Sequence, residues 1–228
     1  MSDSTSAVHV LKHHFADMEQ QSETASFGMW VFLVTELMFF GGLFAAYLIY
    51  RVLYFDSFAA ASTTIDVRWG FINTLVLICS SLTMAMAVHM AQLGKQKALV
   101  LFLVGTIILG SAFLGIKTHE YIEKFQENHV PGPGYHFVVE PELAQRFHAI
   151  DPQKTEIFFS LYFLMTGLHA VHMVVGFGLL VWLIVRSLRG NFGAHYYSPV
   201  EMVGLYWHFV DIVWIWLFPL LYLISRHH

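Results

Sequence analysis

The sequence predicts an all-α integral membrane bundle of five transmembrane helices, and three observations carry that fold class. Of 228 residues, 57% are hydrophobic and only 12% charged, a balance too apolar for a water-soluble domain of this size. Five apolar runs, at about 27–50, 70–91, 98–116, 157–185 and 203–224, are each long enough to cross roughly 30 Å of hydrocarbon at about 1.5 Å per residue. Short connections (51–69, 92–97 and 186–202) tie the runs into one bundle, and the longer segment 117–156 is too broken by Pro131-Gly132-Pro133-Gly134 to bury a core.

The tail, residues 1–26, is polar and acidic and lacks the apolar core of a secretory signal, so the first run is expected to direct insertion itself. That run holds FLVTELMFF, with Glu36 about halfway along it. On an insertion scale a mid-bilayer carboxylate costs roughly 2.5 to 3.5 kcal/mol, and the side chain is too short to reach headgroups. Glu36 must therefore face protein, water or a lipid-filled cleft, either as a cross-link to another helix or as a group that handles protons. Gly41 with Ala45 and Gly42 with Ala46 form overlapping pairs of small residues, a pattern that admits a close neighbour.

In the second run Asn73 and Ser80, and Thr74 and Ser81, repeat at seven residues and are expected to hydrogen-bond between helices. Cys79 is the only cysteine, which excludes a disulfide framework within the chain. The third run ends in GIKTHEYIE, where Lys117 and Glu120 stand three apart and are expected to pair or snorkel at the interface. In the long segment that follows, His129, His136 and His148 are expected to be solvated.

The fourth run carries TGLHAVHMVVG, whose His169 and His172 share a helix face with Tyr162, Met165 and Gly176. The fifth carries WHFVDIVW, with His208 and Asp211 at the same spacing and Trp207 and Trp214 beside them. An imidazole next to a carboxylate in hydrocarbon favours a shared proton or an ion pair. Tyr50, Trp69 and Tyr222 sit at run ends as an aromatic belt.

Four span histidines, His89, His169, His172 and His208, also raise a bis-His haem as a reading. His89 lies near the end of its run, however, and His169 with His172 share one face, which suits bridging hydrogen bonds better than two axial bonds. Copper or zinc draws no better support, because the nearby acids are single and scattered. The net charge of −4 and the lack of a polybasic run argue against nucleic acid. Lys and Arg number five on the N-terminal side and seven on the other, but the compact basic connections GKQK and RSLRG favour a cytoplasmic N-terminus and a periplasmic C-terminus.

Taken in order, FGMWVFLVTELMFF, FINTLVLICSSLTMAMA, HEYIE, TGLHAVHMVVG and LYWHFVDIVWIWLFPLLY resemble subunit III of the haem-copper respiratory oxidases, the cytochrome c oxidase subunit 3 family. The resemblance spans residues 27–224. It implies an accessory subunit of a proton-pumping terminal oxidase in aerobic respiration, with no redox centre of its own. Haem and copper would belong to a partner catalytic subunit I, with subunit II in the same complex. The resemblance also makes Glu36 the family's membrane-buried acid near the partner's proton-uptake side, and matches His169, His172, His208, Asp211 and Glu120 to family motif positions.

Family members of the mitochondrial type have seven helices, two of them ahead of the Glu-bearing one and forming a wall of a phospholipid cleft. The five-helix form implies a bacterial inner membrane, and a partner chain would have to supply that wall. Quinol oxidases and a relative linked to nitric oxide reductases share this short form, so either electron donor is compatible. A stand-alone proton or ion transporter is the reading from another class, and the absence of a repeat that would build two halves counts against it. The remaining reading is a scaffold in which Glu36 only hydrogen-bonds.

Overall fold

The computed structural model describes residues 15–139, 141–147, 149–194 and 196–224; His148 and most of the polar tail lie outside them. Seven helices form among these residues: α1 (Met18–Leu53), α2 (Phe55–Thr63), α3 (Val67–Gln92), α4 (Gln96–Gln126), α5 (Pro141–Arg146), α6 (Pro152–Leu188) and α7 (Ser198–Tyr222). Five of them, α1, α3, α4, α6 and α7, are long and apolar enough to cross a membrane. Four of them extend beyond their apolar runs at both ends, because backbone hydrogen bonding continues to the next cap, whereas α7 starts ahead of its run but stops at Tyr222. Asp17, Asp66 and Asp151 cap α1, α3 and α6, accepting from the backbone N–H of Gln20, Arg68 and Gln153.

Four helices close a ring in the order α3, α4, α6, α7, with α7 returning to α3. Its core is aromatic and needs glycine. The Trp207 indole sits where a Cβ on Gly176 would come within 2.8 Å of its ring and one on Gly110 within 3.1 Å, so α4 and α6 both give up side chains to admit it. Tight turns join α3 to α4 and α6 to α7 on the N-terminal face, where Gly94 (φ 68°) and Gly190 (φ 73°) adopt the left-handed conformation that closes a helix end.

Helix α1 lies outside the ring against α6 and α7, and only 11% of its apolar stretch is buried. The contacts that hold it are few and specific: Tyr47 donates to the Leu220 carbonyl at 2.5 Å, and Phe40 packs edge-on to His172. The small-residue pattern in α1 does not serve packing within this chain, since a Cβ on Gly41 or Gly42 would meet nothing within 4 Å.

The C-terminal face departs from expectation in two places. The first connection contains α2, whose residues from Ser57 to Ser62 are all buried, and Phe58 meets Tyr47 and Phe158. The long segment after α4 folds over that face and does bury apolar groups, leaving Phe137 and Phe147 only 5% exposed. It is held down by Ser57, which accepts from the Asp151 N–H, and by Glu156, which accepts from the Gly132 N–H. His136 is exposed, as a solvated residue should be. His129 is half-buried instead, stacked at 4.9 Å on Phe159.

Candidate functional site: polar groups within the bundle

The helical ring and the outlying α1 bring the polar residues into three clusters and leave Asn73, His169 and Asp211 without hydrogen-bond partners among the described residues. The first cluster joins α1 to α6. Glu36 Oε2 lies 3.1 Å from His172 Nε2, with side chains 20% and 16% exposed. The other ring nitrogen, Nδ1, lies 2.9 Å from the Leu168 carbonyl. A carbonyl only accepts, so Nδ1 carries a hydrogen and Nε2 faces Glu36 as the site of a second proton. The two are therefore placed to share one proton, either on the carboxyl, donating to Nε2, or on the imidazole, making an ion pair. Tyr206 steadies the site by donating to the His172 carbonyl at 2.9 Å, its ring stacked beside the imidazole.

The second cluster ties α4 to α6 and α7. Lys117 and Glu120 pair at 3.1 Å as their spacing predicts, but neither snorkels: they are 6% and 5% exposed. Lys117 Nζ donates to the Tyr162 and Tyr222 hydroxyls at 2.9 Å each, and both hydroxyls donate on to Glu120 Oε1 at 2.5 and 2.6 Å. The rings of Tyr121, Tyr162, Trp214 and Tyr222 surround the ammonium at 5.0 to 5.6 Å from their centroids. Tyr222 is thus a buried member of this cluster rather than part of an interfacial belt, whereas Tyr50 and Trp69 remain exposed.

The third cluster is the seam between α3 and α7. Trp207 Nε1 donates to Ser80 at 3.1 Å, Trp214 Nε1 to Thr74 at 3.2 Å, and Ser81 Oγ lies 2.7 Å from His208 Nδ1. Three of the four polar residues singled out on α3 do bridge helices. The fourth, Asn73, is buried with both amide atoms unpartnered among the described residues.

Two expectations about the histidines need correction. His208 and Asp211 do not pair with each other: His208 turns to Ser81, and neither Asp211 oxygen has a hydrogen-bond partner among the described residues. Nor do His169 and His172 act as one group. His169 is buried between Phe113 and Trp214 with both ring nitrogens unpartnered among the described residues, while His172 faces α1. Three residues apart on a helix is about 60° of rotation, enough to point one side chain into the ring and the other out of it. Sequence reasoning missed Tyr162 and Tyr222 as partners of the ion pair; the available signal was the Lys117–Glu120 spacing, which demands buried donors once the helix continues past it.

Outside the spans, burial against Phe159 and the nearby Lys124 ammonium hold His129 below the ordinary imidazole range, with Glu127 opposing. Burial pushes the Tyr135 phenol up to about 12.

Residues 146–226 match the family described as cytochrome c oxidase subunit III. Over 200 residues the chain is 32% identical to cytochrome c oxidase subunit 3 of Thermostichus vulcanus, 87% of each chain being covered. Over 213 residues it is 28% identical to quinol oxidase subunit 3 of Bacillus subtilis, covering 92% of this chain and 93% of the relative. Over 199 residues it is 30% identical to the probable cytochrome c oxidase subunit 3 of Nocardia farcinica, at 87% of each.

Proposed function

The chain belongs to the cytochrome c oxidase subunit III family, and from that membership together with the geometry at Glu36 we propose how it serves its complex. It is a multi-pass membrane protein and an accessory subunit of a haem-copper oxidase. Within the complex it packs against catalytic subunit I, with subunit II alongside, in a bacterial inner membrane with its N-terminus cytoplasmic. It carries no haem or copper itself, the redox centres being the partner's. Phospholipid seated against the exposed side of α1, under a wall supplied by a partner chain, completes this reading.

The observation that carries the functional part is the 3.1 Å contact between Glu36 and His172 at the outer side of the bundle, a geometry in which the two can share one proton. A carboxyl and an imidazole in hydrogen-bond contact exchange a proton at little cost, and here they do so beside a helix whose other faces are open to a neighbour. The pair supports proton uptake by the partner as a holding site. Glu36→Gln separates this from a scaffold role, because the amide N–H still donates to Nε2 but releases no proton. In the intact complex we expect slower proton uptake or a shorter active lifetime during turnover, with cytochrome spectra unchanged. Unchanged uptake and lifetime in that variant would leave Glu36 a structural cross-link only.

The similarity to quinol oxidase subunit 3 keeps quinol as an alternative electron donor to the complex. Purifying the native complex and recording its optical spectrum during reduction by cytochrome c or by quinol decides between them. A Soret band in the isolated chain would overturn the assignment of haem to the partner.

A further inference from the structure

Asn73, His169 and Asp211 are buried in the spans and unused by the reading above, and of the three only Asp211 lines a furrow between α3 and α7. It is 3% exposed, and neither carboxylate oxygen has a hydrogen-bond partner among the described residues. Ser81 is the polar neighbour beside it, but its hydroxyl is already within 2.7 Å of His208 Nδ1. Even with the Ser81 proton turned toward Asp211, a hydroxyl gives one hydrogen to a group with two acceptor oxygens, so at least one stays unmet.

Asp211 is among the residues lining this furrow of about 370 Å³ on the outer side of the α3/α7 seam, with Ser81 and His208 beside it and aliphatic side chains, among them Ile78, Leu82, Ile212 and Ile215, over the rest of the walls. Depth limits what can fill it. Asp211 lies thirteen residues after Ser198 and eleven before Tyr222, hence roughly 17 to 20 Å from either end of α7. Lipid headgroups do not reach that level, and acyl chains have no hydrogen to donate. An unmet acceptor in hydrocarbon is unfavourable, so the occupant that fits brings its own donor to mid-bilayer.

We propose that the α3/α7 furrow is the face on which a transmembrane helix of the catalytic partner seats, presenting a hydroxyl, amide or indole donor to Asp211. The proposal rests on the accessory-subunit reading, which supplies a partner with helices at this depth. The aliphatic walls give van der Waals contact, and the single polar bond fixes the register of the incoming helix.

The test uses the whole complex in native membranes, with the photoreactive residue p-benzoylphenylalanine placed singly at Leu82 or Ile212 on the furrow rim, or at Leu101 or Val174 on the outer faces of α4 and α6. All four are exposed in the isolated chain. Cross-links from Leu82 and Ile212 to a partner polypeptide, absent from Leu101 and Val174, are the expected result. Asp211→Leu should weaken retention of the chain in the complex by about three- to thirtyfold, and Asp211→Asn, which keeps an acceptor oxygen, by less. If the complex copurifies with its haems but the rim positions label only lipid or a second copy of this chain, the face is wrongly assigned while the accessory role stands. If no haem-copper partner copurifies, the accessory reading falls and this inference with it. The cross-linking variants retain Asp211, so a folding failure of Asp211→Leu leaves the test intact.

Discussion

Removing one member of the Lys117–Glu120 pair should destabilise the bundle far more than removing both. In Glu120→Leu the ammonium keeps two tyrosine hydroxyls and its surrounding rings but loses the counter-charge at 3.1 Å, and both hydroxyls lose their acceptor. Breaking a buried pair this way costs about 3–5 kcal/mol, whereas replacing a whole pair by apolar groups is often neutral. The separated state strengthens the contrast. Lys117 stands just beyond the apolar run that ends at residue 116, so in an unpacked α4 it reaches headgroups and recovers its solvation. Lys117→Met/Glu120→Leu takes both charges out of the core and leaves only the neutral Tyr162 and Tyr222 hydroxyls behind. The double variant should return to within about 1–2 kcal/mol of the parent. The assay is reversible SDS unfolding of the chain in bicelles, followed by far-UV circular dichroism and extrapolated to zero SDS. A double variant as unstable as Glu120→Leu would show that the charge pair is not the cause; a single variant within about 1 kcal/mol of the parent would show that the ammonium is already solvated in the folded chain.

The other predictions use the same chain. Gly176→Ala drives a methyl to within 2.8 Å of the rigid Trp207 ring and should cost about 1–3 kcal/mol in that assay despite the better helix propensity of Ala, while Gly42→Ala, which meets nothing within 4 Å, should cost nothing in the isolated chain. For His129, whose folded pKa lies below the unfolded value, the unfolded state binds more protons. Protection of the loop around it should therefore hold above about pH 6.5 and fall as the pH drops from there toward the folded value. Hydrogen exchange over residues 128–137 at pH 7.5 and 5.5, corrected for intrinsic rates, reads this directly. The pH dependence should vanish in His129→Gln, and equal protection at both pH values in the parent would contradict it.

The five spans were legible because hydropathy over a bilayer-length window measures the one thing the membrane demands of a helix. Helix ends were not, because hydropathy is blind to caps. Helix α1 begins at Met18, behind the Asp17 cap, through a polar stretch that the window discards. Helix α4 continues to Gln126, which turns Lys117 and Glu120 from interfacial residues into core residues. The short α2 was illegible for a different reason. FDSFAAAST has too few large apolar residues to announce a buried helix, and its burial comes from the loop and from α6 folded around it.

At the polar sites the sequence fixes which residues share a helix, but the partner of each depends on where that helix stands in the ring. His169 with His172 and His208 with Asp211 have identical spacing, and each splits the same way. One member meets a neighbour across a seam, His172 to Glu36 and His208 to Ser81, while the other turns about 60° away and has no hydrogen-bond partner among the described residues. The two unmet groups differ in what surrounds them. His169 lies between Phe113 and Trp214 on a cavity of about 60 Å³, room for water but not for a polypeptide, so its isolation is a property of this chain's own core. Asp211 borders an open furrow, so its isolation belongs to the chain taken alone and ends when a neighbour arrives. This makes Asp211 rather than His169 the group whose substitution should register in assembly: a change at His169 alters stability with or without a partner, and one at Asp211 matters most when the complex forms.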